Sequence, residues 1–138
     1  MQGLVRPLNE LAEYEELYRN KKKGTGMIRV CGCVNSQKTH MMYALGSSSG
    51  TSGNKEDACR YKVIVCSSET KARQLYEEYR FLDGNTFLYP AKDFLFYQAD
   101  IRSKELVRQR MEGIQAVLGD DPATIVTGLE GVMDYLAT

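Results

Sequence analysis

Residues 32 to 40 of this chain read GCVNSQKTH. Gly32, Lys38 and Thr39 match the first glycine, the lysine and the hydroxyl residue of the phosphate-loop pattern G-x-x-x-x-G-K-[ST]. In such a loop the backbone N–H groups converge on phosphate at the start of a helix, the lysine reaches the outer phosphates and the hydroxyl holds magnesium. Gln37 stands where the pattern has its last glycine. That glycine lets the backbone approach the anion, and where its φ is positive a side chain costs about 1 kcal/mol or more. A glutamine would also fill space meant for phosphate. No strand within these residues ends in an Asp-Glu pair that could hold magnesium. The reading is a degenerate phosphate loop with no catalytic residue and no cofactor of its own.

The remaining reactive side chains are few. Of the four cysteines (Cys31, Cys33, Cys59 and Cys66), the only close pair is C-x-C, which lacks the two-residue gap of zinc knuckles, and the chain has one histidine. No metal site is expected. Cys31 and Cys66 lie in apolar, strand-like runs, where a reduced cysteine behaves as a small hydrophobe. Charge is balanced, 18 basic against 18 acidic residues, so no whole-molecule field steers the chain onto nucleic acid or an anionic membrane. No apolar run reaches the ~18 residues of a membrane span, and the opening MQGLVRPLNE lacks a signal peptide's apolar stretch. The expected location is the cytoplasm, without membrane contact.

Positioning the loop requires a strand before it and a helix after it. The strand is expected at MIRVC (27 to 31) and the helix at SQKTHMMYALG. Ahead of them, PLNELAEYEELYRNKKKG spaces its apolar residues for an amphipathic helix opening at Pro7, with acids in front, Lys21, Lys22 and Lys23 behind and Gly24 as its stop. Further strands are expected at YKVIVC (61 to 66), TFLY (86 to 89) and TIVT (124 to 127). Helices are expected at SETKARQLYEEYRFL, from about Ser103 to Leu118, and at LEGVMDYLA, with PAKDFLFYQAD irregular. Strands alternating with helices predict an α/β fold, a parallel sheet flanked by helices, in a single domain spanning 1–138. In the Ser103 helix, Val107, Met111, Ile114 and Leu118 form the stripe expected to face the sheet, leaving Arg102, Lys104, Arg108 and Arg110 on a solvated or ion-paired face. The small, polar stretch GSSSGTSGNKED (46 to 57) predicts a flexible loop inside that domain.

The second half, from SSETKARQLYEEYRFLDG through TIVTGLEGVMDYL, resembles the N-terminal region of the bacterial transcription-repair coupling factors, the Mfd family. The matching residues are Pro90, Asp93, Tyr97, Ser103, Glu105, Arg110, Val126, Thr127 and Leu136, individually soft but ordered and spaced as in the family. The opening PLNELAEYEEL and the degenerate loop also fit, so the resemblance covers nearly the whole chain. That region is in turn similar to the first domain of the excision-repair protein UvrB, whose loop reads G-x-T-G-S-G-K-T. Against it Asn35 and Gln37 replace two glycines, while Ser36, Lys38 and Thr39 remain. UvrB's tyrosine-rich hairpin, which inserts into damaged DNA, has no room here because PAKDFLFYQADIRSKEL runs almost directly into a helix.

The resemblance implies a P-loop-like N-terminal subdomain of an ATP-dependent DNA translocase. The parent would use ATP and magnesium in its own motor, bind DNA there, displace stalled RNA polymerase and recruit UvrA. This chain would be a non-catalytic piece of it, expected to self-associate when cut from its neighbours. Two other readings stay open: a small active P-loop enzyme such as a nucleotide kinase, with Lys38 on phosphate and Thr39 on magnesium, and a cysteine-based redox or metal protein.

Overall fold

The computed structural model describes residues 5–24, 26–47, 60–91 and 100–134, which fall into two compact units, Met1–Cys59 and Arg60–Thr138. Most of the 46–57 stretch, the centre of PAKDFLFYQAD, Cys59 and the end of LEGVMDYLA lie outside the described residues.

In the first unit the lead-in is broken rather than continuous. A 3-10 turn at Arg6–Glu10, with Pro7 at its start, gives way to extended Leu11 and then to α1, Ala12–Lys23. Leu11 closes the turn by donating its N–H to Leu8 O and opens the helix by accepting from the N–H groups of Tyr14 and Glu15. The helix stops at Gly24, whose φ of +64° is the left-handed cap that glycine adopts without strain. Lys21 reaches across to the Leu45 carbonyl, and Lys21 and Lys22 both lie near the Tyr18 ring. Helix α2, Asn35–Gly46, follows the glycine loop. Val5, Tyr14 and Ala44 form this unit's core, with Leu8, Met41, Tyr43 and Leu45 against them.

The strand expected at 27–31 is not formed: among the described residues nothing pairs with it, and Met27, Ile28 and Val30 are exposed. A strand gains its ladder hydrogen bonds only from a neighbour, so an alternating sequence without one stays irregular.

The second unit carries the sheet. Strands β1 (Tyr61–Cys66), β2 (Thr86–Tyr89) and β3 (Ala123–Gly128) are parallel, in the order β1-β3-β2. Register runs from Tyr61 opposite Ala123 to Cys66 opposite Gly128, and from Thr86 opposite Thr124 to Tyr89 opposite Thr127. Helices α3 (Glu69–Arg80) and α4 (Asp100–Leu118) lie between successive strands in the sequence, and short α5 (Leu129–Met133) follows β3. Central β3 is buried along its whole length. On the α3 side, Ala72, Leu88 and Val126 form a core joined by Ile64, Cys66, Leu75 and Tyr76. Side-chain alternation turns Val63, Val65, Tyr89 and Ile125 to the opposite face, where α4 packs on β2 and β3.

The stripe of α4 that meets the sheet differs from the expected one. Leu106, Arg110 and Gly113 are buried, whereas Val107, Met111 and Leu118 are exposed and Ile114 is half-buried. A charged residue and a glycine occupy the centre of the contact, so a search for apolar spacing selects a neighbouring stripe. Gly113 sits against the Tyr89 ring, where an added Cβ would lie 3.5 Å from Cδ2. Arg108 does lie on a solvated face, paired with Glu105 and Glu112.

Candidate functional site

Of the six residues of the sequence-derived loop, Asn35, Ser36, Gln37, Lys38 and Thr39 open α2 and Gly32 precedes it. The chain bends at Gly32, whose φ of +83° is again the left-handed region, and Val34 is extended before the helix begins at Asn35. Gln37 folds back over this start: its Oε1 accepts the Val34 N–H at 3.3 Å, while the Lys38 N–H bonds to Val34 O at 3.0 Å. This is one half of a capping box, the half in which a third-position glutamine satisfies a free donor at the helix start. Ser36, Gln37 and Lys38 are exposed, and Thr39 is buried. Loop and helix are therefore together as expected, while the strand that should precede them is not.

In open parallel α/β sheets, ligands sit beyond the carboxyl ends of the strands. Two buried charges occupy that end in the second unit. Glu69 opens α3 directly after its cap, Ser68, whose Oγ accepts the Lys71 N–H at 3.4 Å. Desolvation raises the Glu69 carboxyl above the usual range, with nearby Glu130 adding to it, against the opposing pull of Arg73 at 3.2 Å and the Ala91 N–H. The helix start also presses on the end of β3, where a Cβ on Gly128 would come within 3.1 Å of Glu69 N.

Arg110 is the other charge. It donates from Nη1 to Pro90 O at 2.7 Å and to Asp134 Oδ2 at 3.2 Å, and from Nη2 to the Tyr89 hydroxyl at 2.7 Å. Its guanidinium also lies 4.3 Å from the Tyr89 ring centre. With its donors committed to the end of β2 and to the residue after α5, Arg110 braces three elements. Such a residue fixes geometry rather than receiving an anion. The sequence places it on a solvated or ion-paired face; it is ion-paired, to Asp134, but buried, and the signal for burial was the break in apolar spacing at Arg110 and Gly113.

At the opposite end of the sheet, Asp83 accepts from Lys62 Nζ at 2.8 Å and from Thr124 Oγ1 at 2.9 Å. Burial alone would raise this carboxyl, but the Lys62 ammonium and the hydroxyl and backbone donors hold it below the usual range. Between the two ends, an apolar groove of about 360 Å³ runs over the α4 face of the sheet, lined by Val63, Tyr89, Ile114, Val117, Ile125 and Val132. Strand β1 forms its open side, with Val63 64% and Val65 50% exposed.

Among the described residues no cluster of three metal-ligating side chains occurs, and no helix is long and apolar enough to cross a membrane. Among the described residues the arrangement offers a helix start capped by its own Gln37, two buried charges at the carboxyl end of the sheet, and a sheet face with exposed apolar side chains. Comparison with protein-family models, curated proteins and solved structures gave no match for this chain.

Proposed function

We propose that the chain is a non-catalytic module of a transcription-repair coupling factor, a scaffold within an ATP-dependent DNA translocase that removes stalled RNA polymerase and recruits UvrA. The observation that carries the non-catalytic half is Gln37. Its carboxamide sits on the helix start, satisfying the Val34 N–H that an intact loop would offer to phosphate. A residue used this way has a structural reason to replace glycine. The family assignment rests on the resemblance over Pro90, Glu105, Arg110, Val126 and Thr127. Three of these do structural work: Arg110 bonds Pro90 O, and Val126 is in the core. The uncovered face of β1 supports a role in packing against the rest of a larger protein.

Millimolar ATP with magnesium tests the non-catalytic reading. A ligand at a hundred times its dissociation constant adds about 2.7 kcal/mol to stability, so real binding would register as a clear rise in Tm. The expected result is no shift, in the intact chain and in Lys38→Ala alike. A shift that Lys38→Ala abolishes would favour the nucleotide-enzyme reading instead. For the parent's role, UvrA titrated onto the longer protein, with and without this module, should show weakened recruitment when the module is removed. Unchanged recruitment would count against the scaffold.

A further inference from the structure

Cys31 and Cys33 flank Gly32 in the irregular stretch before α2. Both thiols are free; Cys31 is exposed and Cys33 is half-buried. Successive Cα atoms are about 3.8 Å apart, so residues two apart in a bent chain fall within the separation of up to about 6.8 Å that a disulfide spans. The bend is provided by Gly32 at φ +83°, a conformation that a side-chain-bearing residue would resist. Nothing crowds this glycine: a Cβ built there would meet no atom within 4 Å. The neighbouring Val30 and Val34 are themselves exposed, so a small reagent can approach from either side. Cys66, by contrast, is packed with the core of the sheet, where burial pushes its thiol up.

We propose that Cys31 and Cys33 form a reversible thiol–disulfide pair, closed across Gly32 by exchange with a small disulfide of the glutathione class. The exposed Cys31 thiolate attacks one sulfur of the small disulfide, breaking its S–S bond and releasing one small thiol. Cys33 then attacks the Cys31 sulfur of this mixed disulfide and releases the second small thiol. The two cysteines lose two electrons and two protons, and both end on the two released thiols. The resulting ring passes through only three residues, and such strained, exposed disulfides are the readily reduced ones, so the reaction runs in both directions. Closing it fixes the backbone immediately before the helix start that Gln37 caps. The inference is independent of the functional reading above.

The test equilibrates the reduced full chain with reduced and oxidised glutathione in graded ratios, quenches with acid, alkylates free thiols and digests with trypsin. Cleavage after Arg29 and Lys38 releases both cysteines in one peptide, VCGCVNSQK, residues 30 to 38. The expected product is that peptide unalkylated and lighter by two hydrogens, its share rising with oxidised glutathione and returning to zero on reduction. Cys33→Ser should stop at a stable glutathione adduct on Cys31, because the resolving thiol is gone. Cys33 lies in an irregular stretch outside the unit's core, and serine differs from it by one atom, so folding is not at issue. Two alkylated cysteines across the whole range, two separate glutathione adducts, or linkage of Cys31 to Cys59 or to a second chain would each overturn the proposal.

Discussion

At the scale of single residues, buried Glu69 and part-buried Asp83 make opposite pH predictions. Asp83 is held below its unfolded value, so its contribution is fully present above the ordinary aspartate range and is lost as pH falls through its folded value. Asp83→Asn should therefore cost about 1–3 kcal/mol at neutral pH, by leaving the part-buried Lys62 ammonium without its carboxylate. In urea titrations that difference should shrink as the solution is acidified below the aspartate range. Glu69 is raised, chiefly by desolvation, so the folded chain holds this proton more tightly and stability falls as pH rises through the carboxylate range. Glu69→Gln should match the parent in acid and exceed it at neutral pH. A neutral-pH Tm below the parent's would show that the ion pair with Arg73 outweighs burial. Neither role was legible beforehand, because a lone Asp or Glu in sequence carries no mark of what will bury it.

At the scale of elements, sequence periodicity located β1, β2, β3 and the helices between them to within a few residues, since each has a burial pattern that its own unit completes. It failed where the pattern depended on a missing or unusual neighbour. MIRVC alternates like a strand yet has no partner among the described residues, and α4 meets the sheet through Arg110 and Gly113 rather than through its apolar stripe. The helix that follows Gly32 was legible from the sequence, whereas the capping role of Gln37 needed coordinates. Two glycines separate helix propensity from packing. At Gly113 an added Cβ meets Tyr89 at ordinary contact distance, so Gly113→Ala should be neutral or stabilising by up to ~1 kcal/mol. At Gly131 the same atom would lie 2.5 Å from Thr127 Oγ1 and 3.1 Å from Tyr89 O. Gly131→Ala should destabilise despite the same propensity gain, and thermal melts of the pair should move in opposite directions or leave Gly113→Ala unmoved.

At the scale of the whole molecule, β1 pairs on one side only among the described residues and turns Tyr61, Val63 and Val65 outward. An unpaired edge beside an exposed apolar face is a template for another strand. Two copies joined antiparallel about Val63 would place Tyr61 opposite Val65 and keep all three side chains on one face, which alternation requires. The chain is expected to associate as its concentration rises, and Val63→Lys, at a position 64% exposed, should suppress this without lowering Tm. Light scattering checks both; a monomer at every concentration would remove the idea.

The strand order has a consequence for synthesis. Of the three described strands β3 is made last, yet β1 and β2 each pair with it and not with each other. A nascent chain that has exposed β1 and β2 but not Ala123–Gly128 holds two apolar strands with nothing to join them. Pairing of these strands cannot advance one by one on the ribosome and must wait for β3, which leaves a window in which the apolar early strands are exposed to aggregation.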